Sequence, residues 1–187
     1  MDAKAVVSTI LSDESVKSIS KKTGASQRDI SSVLSAALPL LLAGANNQAQ
    51  NQDTAESFTN ALVQHSANDT SDVGSFFGKV DLSDGAKIVA HLLGANTQSN
   101  AQTQTIAQQS GVNSADTGNI LAAAAPLLMS LLGQQTNVQS NNNSSAIGSL
   151  MGSLLGSLLS DNDQQSNSNS SGIDLGDVVS LLGKLLK

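Results

Sequence analysis

One segment of this chain occurs twice, and that duplication limits the fold more than any other feature. Residues 19–44, ISKKTGASQRDISSVLSAALPLLLAG, align without a gap on the stretch that begins at Ile106, an offset of 87 residues. Gly24 falls on Gly111, Asp29 on Asp116, Leu34 on Leu121 and Pro39 on Pro126, and nine of the 26 aligned positions are identical. Self-similarity at a fixed offset points to a supersecondary unit built twice and packed against its own copy.

The unit reads as two helices around a fixed corner. Lys21 and Lys22 fall in the last turn of a first helix, where the macrodipole favours cations, and Gly24 suits the left-handed residue just past its end. Ser26 then opens a second helix as N-cap, with Asp29 three positions on; Asn113 and Asp116 repeat the device. Val33, Leu34 and Ala37 follow at helical spacing, as do Ile120, Leu121 and Ala124. Pro39 and Pro126 each kink that helix or start a new one, inside the most apolar run of their copy. The predicted core of residues 1–133 is Val33, Leu34, Leu40, Leu41, Ile120, Leu121, Leu127 and Leu128.

Hydrophobic residues make up 39% of the chain but aromatics only 2%, so the core must be aliphatic. No stretch alternates apolar and polar residues as a strand would, and the fold class is all-α. Absence of cysteine excludes disulfides and thiolate ligands. A net charge of −6 disfavours broad attraction to nucleic acid or anionic lipid. No Lys or Arg lies between Ile88 and Gly183, so the second half relies for solubility on Asn, Gln and Ser. The N-terminus lacks a basic leader and a long apolar stretch, which reads as cytoplasmic. The longest apolar run, Ile120 to Leu132 with Ser130 inside it, is shorter than the ~20 residues of a membrane-spanning helix.

In chain order, helices are expected over Ala3–Leu11 and from Ser12 to Gly24, then the first Pro-containing helix ending near Gly44. Asn46 to Gln52 reads as a polar loop, and Asp53 with Glu56 as the cap of a helix that buries Phe58, Ala61 and Leu62. Ala67 to Ser83 reads as a loop anchored by Phe76 and Phe77, and Ser83–Leu93 as a helix. Asn96–Thr103 reads as a connector to the second copy. The pattern Ala86, Lys87, Val89 echoes Ala3, Lys4, Val6, which extends the repeat units to about 1–45 and 84–133.

Composition changes after Gly133, so residues 134–187 form a separate tail. Two Asn/Gln/Ser-rich linkers flank residues 146–160, AIGSLMGSLLGSLLS, where Gly148, Gly152 and Gly156 recur every fourth position. As a helix, this segment places Leu150, Leu154 and Leu155 in one apolar stripe. It spans ~22 Å, short of a ~30 Å hydrocarbon core, so a position on a membrane surface fits and a transmembrane one does not. Glycine at four-residue spacing permits close helix approach. The last residues, 173–187, form a second amphipathic pattern, with Asp174 and Asp177 at its start and Lys184 and Lys187 at its end. Both segments either fold back onto their own domain or pair between chains; the expectation adopted is pairing, which makes a homo-oligomer or larger assembly.

The G-[AV]-[SN] corner, the helix reaching A-[LA]-P-L-L and the preceding KIVAHLLG helix together resemble the YidB-like bacterial proteins, a domain family of unknown function. The resemblance covers roughly Met1 to Gly133, and the Gly/Ser/Leu-rich tail is similar to tails of that family. It implies an all-helical, multihelical fold and carries over no catalytic residue and no cofactor.

Candidate chemistry is sparse. His65 and His91 lie on separate expected helices, without the i, i+4 spacing of a metal pair. DLSDG, Asp81 to Gly85, lacks the ligand spacing and closing Glu of a calcium loop. No nucleophile elbow, phosphate loop or dinucleotide fingerprint occurs. The chain is therefore read as a non-enzymatic structural or interaction protein, with no metal or cofactor called for. The rival reading is a helix-turn-helix over residues 17–36, with Gln27, Arg28, Ser31 and Ser32 facing a major groove. Its second copy offers Ser114, Ala115, Gly118 and Asn119, with no base to contact phosphate.

Overall fold

The computed structural model describes residues 3–93 and 97–135, together with the single residue Gly156. Among these residues the chain is all-helical, with eight helices and no strand. They are α1 (Ala3–Ile10), α2 (Asp13–Thr23), α3 (Gln27–Gln50), α4 (Ala55–Ser66), α5 (Val73–Lys79), α6 (Leu82–Leu93), α7 (Thr97–Ser110) and α8 (Ser114–Gln135).

Helix α8 is the axis of the fold. Every residue from Ile120 to Gly133 is buried, so the helix is apolar all round and covered all round. Helices α6 and α4 cover it most extensively, and α1, α2, α3 and α7 also touch it. All eight residues of the predicted core join the packed cluster: Val33, Leu34, Leu41, Ile120, Leu121, Leu127 and Leu128 within it, and Leu40 partly buried against it.

The corners form as the sequence dictates. Gly24 and Gly111 adopt φ of 79° and 73°, a region that favours glycine. Ser26 Oγ accepts the Asp29 N–H at 3.1 Å, and Asn113 Oδ1 accepts the Asp116 N–H at 2.9 Å. Ser12 likewise caps α2 through the Ser15 N–H. Neither proline starts a new helix; Pro39 lies inside α3 and Pro126 inside α8. Proline has no N–H to offer the carbonyl four residues earlier. For Pro39 that carbonyl belongs to Ser35, an exposed residue; for Pro126 it belongs to the buried Ala122.

Small residues let three helix pairs approach at backbone distance. A Cβ built on Gly85 of α6 would stand 2.7 Å from the carbonyl carbon of Ala122 in α8. One on Gly44 of α3 would stand 2.8 Å from that of Leu92 in α6, and one on Gly133 of α8 would stand 3.2 Å from that of Leu62 in α4. The Ala122 carbonyl, deprived of its partner by Pro126, is thus the one that the Gly85 backbone covers.

Four local expectations differ from the structure. Residues 46–50 are helical, because Ala45 and Ala49 keep the buried stripe going and Gln48 Nε2 donates to the His91 carbonyl at 2.7 Å. Asp53 and Glu56 do not cap α4; Asn51 Oδ1 accepts the Asp53 N–H at 3.0 Å, and the Asn51 carbonyl accepts the Ala55 N–H. The expected loop 67–83 contains α5, capped by Asp72 and held by the buried Val73, Phe76 and Phe77. Finally, residues 97–103 of the expected connector are the first half of α7.

Helices α3 and α8 are both long and apolar enough on average to cross a membrane. Measuring the longest apolar run missed this, since the Ser, Gly and Gln that bound such a run still leave the average over 18 residues high. In α8 the apolar surface is taken up by its neighbours within the fold.

Candidate functional site

A cleft of about 720 Å³ lies where the end of α4, the α4–α5 connection, α5 and the start of α6 meet above Pro126. Its floor includes the buried Phe76 and Val80, and its walls carry His65, Asp69, Asp72, Lys79, Asp84 and Lys87. These side chains come from α4, α5, α6 and the α4–α5 connection and were not recognised together in the sequence, because no local motif links them.

Most of its acidic groups already hold backbone in place. Asp72 Oδ1 accepts the Ser75 N–H at 2.9 Å and Oδ2 accepts the Ser75 hydroxyl at 2.7 Å. The Ser75 backbone bond, chiefly, keeps the Asp72 carboxyl below its ordinary range. Asp69 Oδ1 accepts both the hydroxyl and the N–H of Ser71, and the hydroxyl bond is the larger cause of its lowered pKa. Asp81, in the loop considered for calcium, accepts the Ser83 N–H at 2.8 Å at the start of α6. Among the described residues no three His, Asp or Glu side chains converge as a metal site would require.

His65 lies half-buried at the cleft wall. Burial pushes its pKa below the ordinary 6.5, and the nearby Asp84 charge opposes that shift. The neutral ring is therefore favoured in the fold, and the unfolded chain takes up a proton more readily. Its contribution to stability is complete above pH 6.5 and is lost as pH falls through the lowered folded value. The urea midpoint should accordingly drop on acidification from pH 7 to 5, and His65→Gln should flatten that drop. Equal slopes for the two proteins would contradict this assignment.

A polar seam ties the end of α8 to the cleft. Ser130 Oγ donates to the Pro126 carbonyl at 2.8 Å and accepts from Asn68 Nδ2 at 3.0 Å. Gln134 Nε2 donates to the Asn68 carbonyl at 2.7 Å, and Gln134 Oε1 accepts from the Thr70 hydroxyl at 2.9 Å. The exit of the chain towards its tail is thereby fixed beside α4.

His91 stands apart from His65, exposed on α6 beside a smaller cavity of about 140 Å³. Phe58, Ile88, Leu92 and Met129 give that cavity apolar walls, with Ser57 and Gln48 at its rim. No Asp, Glu, Lys or Arg lines it.

The residues of the helix-turn-helix reading sit at the start of α3. Gln27, Arg28 and Ser31 are exposed there, while Ser32 is half-buried. Exposed Lys17 and Lys21 stand on α2, with the acids Asp13 and Glu14 on the same helix. Of the residues assigned to association, Gly156 is helical and exposed. Gly148, Leu150, Gly152, Leu154 and Leu155 lie outside the described residues, as do the amphipathic pattern of 173–187 and the linkers between.

A bacterial family of unknown function, DUF937, matches residues 6–135. The chain belongs to that family. The match spans α1 to α8, so the DUF937 unit coincides with the packed helices and stops where the tail begins. No curated protein and no solved structure matches the chain. Membership in DUF937 brings no activity with it, and the cleft, the α3 face and the tail have to be weighed on their own chemistry.

Proposed function

We propose that this DUF937 protein is a non-enzymatic interaction protein, YidB-like within its family, whose duplicated helical domain (units of about 1–45 and 84–133) carries a self-associating tail. One contrast carries the reading. Among the residues with described burial, no Leu, Ile, Val, Met or Phe is exposed; every exposed position is polar, Gly or Ala. The domain has spent its large apolar side chains on itself. The tail sequence, by contrast, still holds Ile147, Leu150, Met151, Leu154, Leu155, Leu158 and Leu159 at helical spacing. Three glycines within that stretch weaken an isolated helix by about 1 kcal/mol each relative to alanine, so it gains order only against another surface. Association of this kind requires no cofactor, and the backbone bonds held by Asp69, Asp72 and Asp81 occupy three of the four carboxylates in the cleft.

Gly152→Leu tests this. Bulk at the middle of the glycine ridge should shift the full chain to a lower mass in solution while the thermal transition of the helical domain stays in place. Unchanged mass would count against the tail.

A second reading, DNA binding through residues 17–36, has one favouring observation, the exposure of Gln27, Arg28 and Ser31 just past the Gly24 corner. It is separated by a gel shift on random duplex at low salt. Retardation that is salt-sensitive and lost in Arg28→Ala supports it.

A further inference from the structure

The small cavity beside His91 has the features of an anchor site for one side chain. Its volume, about 140 Å³, is below the ~300–1,000 Å³ usual for small-molecule pockets. A single buried anchor in a fitted apolar pocket is instead a common device of protein–protein contacts. Phe58 and Met129 supply an aromatic wall and an adaptable thioether, and half-buried Ala61 leaves the opening uncrowded.

Two further observations say what fills it. Charge is the first. No Asp, Glu, Lys or Arg lines the cavity, and residues 146–160 contain none either, whereas the larger cleft is lined by Asp and Lys. An uncharged, leucine-rich segment matches the former and would strand unpaired charges in the latter. The second is reach. The tail leaves α8 at Gln135, six residues beyond the cavity wall at Met129, which is ~9 Å along the helix. Residues 136–145 then add up to ~35 Å of extended chain before the segment starts, a tether long enough to reach the chain's own cavity and, exchanged between two copies, the same cavity of a neighbour. One anchor position also leaves most of the seven apolar residues uncovered, so docking on a neighbour can continue into contacts with further tails.

We infer that this cavity receives a leucine of segment 146–160 from a second copy of the chain. The inference rests on the tail-mediated association proposed above and names the surface that receives the tail.

The chain has no cysteine, so engineered thiols report alone. Ser57 is exposed on the cavity rim, and by sequence spacing alone a helical 146–160 would set Ser153 beside its apolar stripe. Full-length Ser57→Cys and Ser153→Cys proteins are mixed in equal amounts and oxidised, and their mass is measured without oxidant. The expected product is the mixed 57–153 disulfide dimer, in excess over both homodimers. Predominant 153–153 dimers from an oligomeric chain would overturn the cavity inference and leave tail-mediated association standing. So would a doubly substituted chain that closes its disulfide internally rather than with a neighbour. A chain that is monomeric and forms no mixed dimer would overturn both.

Discussion

Gly85→Ala should destabilise the helical domain by roughly 3 kcal/mol, the upper end of what overpacking a filled core produces. The added methyl would fall on the Ala122 carbonyl, with the carbonyl carbon 2.7 Å away. That oxygen belongs to the backbone of the most buried helix and cannot rotate aside as a side chain would. Relief requires α6 to move off α8, which opens the largest helix–helix contact in the fold. Gly118→Ala is the matched control. It lies in α8 with nothing within 4 Å of the position a Cβ would take. There the better helix propensity of alanine should stabilise by about 0.5–1 kcal/mol. Urea midpoints moving in opposite directions support the crossing; equal small shifts would show that α6 and α8 are not packed backbone to backbone.

Leu121→Ala should cost ~2–5 kcal/mol, the range for emptying a buried leucine site. Leu121 is fully buried, as is its counterpart Leu34. Folded domains retain only ~5–15 kcal/mol in total, so this change alone removes a large fraction. An unchanged urea midpoint would contradict its place in the core.

The corners of this fold could be read in advance because each is fixed by residues within one turn. Gly24 and Gly111 need only their own φ, and Ser26 and Asn113 only an N–H three positions on. What escaped reading is decided by distant contacts. Helix α5 has poor local credentials, with Gly74, Ser75 and Gly78 in seven residues, yet Phe76 and Phe77 pack edge to face at 5.6 Å and α5 lies on α2. The last turns of α3 look like a polar loop until Gln48 meets the His91 carbonyl, 43 residues away. The cleft was illegible for the same reason. His65, Asp72 and Asp84 come from or adjoin three helices, and only the packing of α4, α5 and α6 brings them to one wall. Small residues facing a neighbouring backbone, Gly44, Gly85 and Gly133, carry no signal at all in a single sequence, since a glycine that is needed looks like one that is not.

The central claim is a division of labour, with a self-contained helical domain and a tail that joins chains. Sedimentation equilibrium on the full chain and on a chain ended at Gln135 tests it most directly. The account predicts a full chain heavier than one protomer and rising in mass with concentration, and a shortened chain that is monomeric. A full chain that stays monomeric at high concentration, or a shortened chain that associates as strongly, would contradict it.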